Sequence, residues 1–215
     1  VDRTLASTLV EGSISALNYA NKLNGFVMAL FITSVGAVIY PMLSKLSSED
    51  NKEKFISSVV QSINSIILLV IPISIGAIVL ATPIVKLLFQ RGEFDARATS
   101  MTAIALIMYS IGMVAFGLRD IIGKVFYALK DTKTPMINGA IAMIMNIVLN
   151  IILVKYLQLA GLALATSISA IVCVFLLFGS LKKKIGYFGQ DKIIKTTIKS
   201  IVAAVVMGIV TYFVY

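Results

Sequence analysis

Inside an otherwise apolar sequence, the residues whose types and spacing could do chemistry are few. Asn146 and Asn150 stand four residues apart in the run MINGAIAMIMNIVLNIIL, which puts both amides on one face of a helix. Thr166 falls in the next apolar run. Two amides and a hydroxyl facing one another suit a hard monovalent cation, especially where a carboxylate completes the shell. The same groups also serve as interhelical hydrogen-bond glue. Lys22 lies in VEGSISALNYANKLNGFVMALF. Counted back along one helix from Lys45, at the far edge of its span, it sits about 35 Å away, in the outer part of that span. A cation there either lines a cavity and meets an anionic substrate, most simply a phosphate, or snorkels to the outer interface. Asp2 and Arg3 are adjacent and so point about 100° apart on a helix. Each needs its own neighbour, or water, or a helix end at the interface. Arg3 is the second cation, after Lys22, that a substrate anion could meet. Asp120 and Lys124 share a helix face beside Arg119 and read as an ion pair.

The remaining composition closes off other chemistries. With no His and a single Cys among 215 residues, a zinc site has too few ligands, and Cys173, in the run IVCVFLLF, reads as a small buried hydrophobe. The acids Glu49, Asp50, Glu53, Glu93, Asp95, Asp131 and Asp191 fall in loops and turns. No glycine-rich phosphate loop is present. Catalysis is therefore not expected, nor an organic cofactor. The formal net charge of +9 would suit nucleic acid, but the basic residues lie between apolar stretches and form no soluble face, so no nucleic acid partner is expected.

The elements that must position these residues are membrane helices. The chain is 59% hydrophobic and only 13% charged, with mean hydropathy +0.97, far to the apolar side of a soluble domain. A membrane helix needs about 20 apolar residues. Six full spans are predicted: Glu11–Leu46, Phe55–Phe89 with kinks at Pro72 and Pro83, Ser100–Leu129, Met136–Leu157, Gly161–Leu181 and Ile193–Tyr215. Polar loops are predicted over Ser47–Lys54, Gln90–Thr99 and Lys130–Pro135. Val1–Val10 reads as the tail of an earlier span. The fold class is thus all-α, a polytopic transmembrane bundle. The chain opens at Val1 in mid-pattern and without Met, so a piece of a longer protein is expected. Thirteen basic residues fall at one side of the spans and four at the other, which places the first set in the cytoplasm. The first full span then runs from outside to inside. Lys192, Lys195 and Lys199, spaced helically among Ile193, Ile194 and Ile198, read as a positive anchor or as an amphipathic segment lying on an anionic leaflet. Gly161, Ala165 and Ser169 repeat at four-residue spacing, a small-residue stripe that lets helices approach closely.

Several stretches, in order, carry a family resemblance: VDRTLASTLVEGSISALNYANKL, VIYPMLSKL, LLFQRGEF, KVFYALKDTKTP and GLALATS. With them the chain resembles the MurJ/MviN lipid II flippases of the multidrug/oligosaccharidyl-lipid/polysaccharide exporter superfamily. The resemblance implies two six-helix lobes and two further helices forming a lipid groove. Residues 1–185 would be the C-terminal lobe, from the end of helix 7 to helix 12, and residues 186–215 a basic linker and helix 13. It implies a protein of the bacterial inner membrane that moves undecaprenyl-diphosphate-linked muropeptide, lipid II, between leaflets by alternating access, in contact with membrane lipids and with cell-wall synthesis proteins. The fragment would be inactive alone. A polysaccharide-lipid or multidrug exporter of the same superfamily is the alternative within transport, and a non-transporting membrane scaffold the alternative outside it. Lys22, in ANKL, falls where the family usually has a cavity arginine; lysine keeps the charge but loses the bidentate fork. Asp2, Asn146, Asn150, Thr166 and the carbonyl of Leu162 fall on positions that resemble a sodium site. Asn150 departs from it, because an acidic residue can stand there. Glu11 acquires no role.

Overall fold

The computed structural model describes residues 5–6, 9–49 and 51–214, and among these it is helical almost throughout. In hydrocarbon every backbone N–H and C=O must be satisfied within its own segment, and the helix does that for a single span. The elements are α1 (Ser13–Ser48, with a π-helical stretch Met28–Thr33), α2 (Lys52–Val79), α3 (Ala81–Phe89), α4 (Ala96–Ala128), α5 (Lys133–Ile185) and α6 (Gln190–Val214). Among the described residues, five helices are long and apolar enough to cross a membrane. The 53-residue α5 doubles back at Gln158, whose φ of 49° and ψ of −123° are non-helical. Its two arms, residues 133–157 and 159–185, supply the fourth and fifth of the six expected runs.

Element boundaries move outward into the polar stretches. α1 continues to Ser48 and α2 begins at Lys52, where the Asn51 side chain accepts from the Lys54 N–H at 3.2 Å. α4 begins at Ala96, with the Asp95 carboxylate accepting from the Ala98 N–H at 2.7 Å. These capping groups satisfy the orphan N–H groups of a first turn, so helices extend through residues that hydropathy assigns to loops. The second span is corrected in kind as well as in length. It does not run unbroken from Phe55 to Phe89. Pro72 is accommodated inside α2, and the chain breaks at Leu80 (φ −100°, ψ 18°), before Pro83. Pro83 has no N–H to give, and in a helix interior its ring would press on the carbonyl four residues back. The break places it in the first turn of α3, where no such bond is needed.

α4 is the centre of the bundle: 67% of its most apolar window is buried, against 17% for α6 at the rim. Ile63, Ile66 and Val70 of α2, Met113, Ile122 and Phe126 of α4 and Leu177 and Leu181 of α5 form one core. A second, outer cluster joins Ala16, Leu17 and Ala20 of α1 to Val85 of α3, Leu106 of α4 and Leu162 of α5. Buried hydroxyls add fixed contacts. Ser74 donates to the Ser110 carbonyl, and Ser167 donates to the Met108 carbonyl at 2.6 Å. The stripe Gly161, Ala165, Ser169 is buried as expected, and a close approach of α4 to α5 is made by Gly112 and Ser167, on a neighbouring face. A Cβ on Gly112 would lie 2.6 Å from the Ser167 Cα. Gly161 instead meets the other arm of its own hairpin, its position for a Cβ lying 2.4 Å from the Leu153 carbonyl oxygen. α6 starts at Gln190 and continues without interruption, so Lys192, Lys195 and Lys199 occupy the first turns of a span and no separate in-plane helix forms.

At the basic end, Asp131 ties the α4–α5 turn to the end of α5. Lys184 lies 2.5 Å from its carboxylate, and the Thr134 N–H and hydroxyl donate to it at 3.0 and 2.9 Å. The Lys184 bond first, then the Thr134 N–H, hold the Asp131 carboxyl down to about 2 from the ordinary 3.8. A depressed carboxylate contributes stability that is present above its unfolded value and is lost as pH falls through the folded one. Thermal unfolding in detergent should therefore show Asp131→Asn less stable than wild type by about 1 kcal/mol at neutral pH, the worth of a charged hydrogen bond discounted for a partly open lysine. The gap should close between pH 3.8 and about 2. A gap that persists unchanged at the acid end would show that the carboxylate charge is not what holds the turn.

Candidate functional site

The outer half of α1 is pinned by aromatic rings. Tyr19 packs against Phe89 with ring centroids 4.8 Å apart and edge-on to Phe94 at 5.2 Å. Phe89 closes α3, and Phe94 lies in the turn that follows, where Gly92 takes a positive φ of 56°. That left-handed position lets the chain reverse within a few residues and brings Phe94 back onto Tyr19. One turn of α1 further on, the Lys22 ammonium lies 5.3 Å from the centre of the Tyr19 ring, a cation–π contact. Lys22 is exposed.

It is exposed on a particular face. Ser15, Asn18, Lys22, Gly25, Ala29 and Thr33 all turn out of the bundle, at helical spacing, and are small or polar. The π-helical stretch Met28–Thr33 falls within this line; inserted π turns are frequent where a helix serves a function. Polar and ionisable groups on a membrane helix normally face a bundle interior or a watery cavity. Phe26, Leu30 and Val38 are exposed beside this face, as lipid-facing residues are. Electrostatically the face offers one fixed cation among neutral hydrogen-bonding groups, which is the chemistry of an anion contact.

The second cluster lies between the two arms of α5. The Asn150 amide donates to the Asn146 side-chain oxygen at 3.0 Å, the Asn146 amide donates to the Thr166 hydroxyl at 3.4 Å, and that hydroxyl donates to the Leu162 carbonyl at 3.1 Å. Asn150 is fully buried. The fold thus brings together the four described residues Asn146, Asn150, Leu162 and Thr166, while Asp2 and Arg3 lie outside the described residues. Every acceptor in the cluster is a hard, neutral oxygen, a donor set fit for a monovalent cation. Among the described residues there is no group of three or more His, Cys, Asp or Glu to hold a more highly charged metal. Asp120 and Lys124 form the expected ion pair at 2.5 Å. Arg119 turns its guanidinium over the Phe116 ring at 5.9 Å.

The family model described as Lipid II flippase MurJ matches residues 1–215. The chain belongs to the lipid II flippase MurJ family. It is 38% identical over 180 residues to the "Probable lipid II flippase MurJ" of Vibrio cholerae serotype O1, covering 84% of this chain and 34% of that protein. It is 32% identical over 219 residues to the "Probable lipid II flippase MurJ" of Haemophilus influenzae, covering 99% of this chain and 43% of that protein. A solved structure, "Lipid II flippase MurJ, inward closed conformation", superposes with TM-score 0.82 at 29% identity over 99% of this chain and 48% of that one. The chain therefore spans between 34% and 48% of the length of these MurJ relatives. It is a membrane protein of a bacterial transporter family, built as an all-helical bundle.

Two parts of this candidate site escape a reading of the sequence. Tyr19 is the partner of Lys22, and its i, i+3 spacing was the available signal. Phe89 and Phe94 bracket QRGE, and nothing local to that loop says that they close on α1.

Proposed function

We propose that the full-length parent of this chain carries undecaprenyl-diphosphate-linked muropeptide, lipid II, from the inner to the outer leaflet of the bacterial inner membrane, without covalent chemistry. The observation that carries the reading is the exposed small and polar face of α1 with Lys22 in its line. Such a face is costly against lipid and favourable against a watery cavity. In the parent, residues 1–185 would form one of two lobes, and residues 186–215 would supply a basic linker and one helix of a groove for the lipid tail. Rocking of the lobes about the cavity would expose it to each side in turn. Lys22 would meet the diphosphate as a point charge with rotatable donors, held against Tyr19 until substrate arrives; Arg3 is the second cation proposed for the same anion. Cell-wall synthesis proteins are the partners such a role implies. Depleting a host's own flippase and expressing the full-length parent tests this: growth should be restored, and a folded, membrane-inserted parent that restores none would overturn the assignment.

The amide–hydroxyl cluster is proposed as a sodium site. Asn146 Oδ1, Thr166 Oγ1, the Leu162 carbonyl and Asn150 would hold the ion, with Asp2 as the charged ligand. Bound there, a cation would brace the two arms of α5 against each other. Because Asn150 is neutral, binding should be weak, and Asn150→Asp should tighten it by about ten-fold, one added charge in a buried shell being worth at least 1–2 kcal/mol. Sodium-dependent thermal stability of the parent, with potassium as the control, measures this. A melting point of Asn150→Asp as insensitive to sodium as to potassium removes the site, and a sodium dependence left unchanged in Asp2→Ala removes Asp2 from it.

A further inference from the structure

A second polar stripe belongs to neither site. Glu53, Ser57, Gln61, Asn64 and Ser65 recur at three- and four-residue spacing on one face of α2. Together with Lys192, from the first turn of α6, they line a cleft of about 690 Å3, within the size range of ligand sites. The cleft lies at the basic, cytoplasmic end and runs inward, since Asn64 is about 16 Å along the helix from Glu53. Ser57, Gln61, Glu53 and Lys192 are exposed. Ser65 has its hydrogen bond, donated to the Gln61 carbonyl at 3.0 Å. The Asn64 side-chain oxygen is buried with no hydrogen-bond partner, and a buried acceptor left unmet costs about 1–3 kcal/mol.

The mouth carries both signs of charge. Glu53 and Lys192 stand on different helices, and neither is in an ion pair in the described structure, where the paired groups are Lys45 with Glu49, Lys124 with Asp120 and Lys184 with Asp131. Below them the wall is mixed, with Ile56, Val60 and Leu68 between the amides and hydroxyls. The complementary ligand has both a cation and an anion, and an apolar body to lie along the helix. We infer that this cleft binds the headgroup of an ethanolamine phospholipid from the cytoplasmic leaflet, its phosphate on Lys192 and its ammonium on Glu53. One acyl chain follows Ile56, Val60 and Leu68. A purely anionic lipid would satisfy Lys192 and set its charge against Glu53. A choline lipid carries no N–H for Glu53. Basic pockets between membrane helices at the cytoplasmic side are suited to lipid headgroups; the acid beside this one gives it a preference among them.

The inference stands apart from the transport reading, because its readout is lipid retention. The full-length parent, purified from a mixture with equal phosphatidylethanolamine, phosphatidylglycerol and phosphatidylcholine, is examined by native mass spectrometry for the lipids it keeps. Ethanolamine lipid should be retained about five-fold over each of the others. Glu53→Gln should remove the preference over choline lipid, and Lys192→Gln should lower retention of all three. The exchanged pair Glu53→Lys with Lys192→Glu should recover the ethanolamine preference, which a general loss of folding cannot mimic. Equal or stronger retention of phosphatidylglycerol overturns the proposal. So does retention that ignores these substitutions, or an absence of retained lipid because another part of the parent chain covers the cleft.

Discussion

Lys22→Ala in the full-length parent is expected to abolish rescue of a flippase-depleted cell, while Lys22→Arg keeps it. A charged donor to a phosphate contributes about 1.5–3 kcal/mol, a loss of roughly ten- to a hundred-fold in substrate affinity. Rescue should fail at ordinary expression and return in part only with strong overproduction. Stability does not confound the result. Lys22 is exposed, and its described contact is the face of Tyr19. Replacing it with Ala makes the span more apolar and a better helix former, so the variant should insert and melt as wild type does. Arg retains the charge and restores the bidentate fork, and it can still lie over Tyr19. Tyr19→Leu should give an intermediate phenotype, because the cation remains but is no longer held, and the contacts with Phe89 and Phe94 are weakened. If Lys22→Ala rescues growth as well as wild type, Lys22 is not the phosphate contact.

Hydropathy recovers what depends on transfer from water, and that covers much of this fold. Six apolar runs and the all-helical class follow from it, and five long apolar helices, one of them doubled at Gln158, are what the described residues form. The Asn146–Asn150–Thr166 cluster is legible for a further reason. The hairpin turns at Gln158, eight residues after Asn150 and eight before Thr166, so antiparallel arms set these groups level. The break at Leu80 and the π turn at Met28–Thr33 are changes of hydrogen-bond register within uniformly apolar sequence, to which hydropathy is blind. Lys22 is readable as a misplaced charge and Tyr19 stands three residues before it, but what holds Tyr19 is not readable, because Phe89 and Phe94 fold onto α1 from a loop distant in sequence. The polar stripe of α2 was passed over for a related reason: its amides and hydroxyls are scattered among isoleucines and valines, and only the approach of α6 makes them a cleft.

Gly112→Ala is expected to be strongly damaging, although it adds a single methyl group and touches no charge. Between helices in lipid there is no hydrophobic driving force, so association depends on close packing and interhelical hydrogen bonds. At Gly112 both are made at one point. A Cβ there would lie 2.6 Å from the Ser167 Cα and 2.7 Å from its Cβ and Oγ. The nearest obstacle is backbone and cannot swing aside, so α4 and the second arm of α5 must separate. Separation also lengthens the bond from Ser167 to the Met108 carbonyl, now 2.6 Å. Overpacking costs about 1–3 kcal/mol, and a stretched buried hydrogen bond adds about 1 kcal/mol, a large share of the stability of a small bundle. The variant should melt well below wild type and accumulate poorly in the membrane. Gly139→Ala is the matched control: it lies on a helix with nothing within 4 Å of its Cβ position, so the helix preference for Ala over Gly should leave it neutral or slightly stabilised. Ser167→Gly placed on top of Gly112→Ala removes the obstructing Cβ and Oγ and should recover part of the loss, leaving the contact with the Ser167 Cα. If Gly112→Ala melts with Gly139→Ala, the two helices do not approach this closely, and the axis of the bundle at α4 is drawn wrongly.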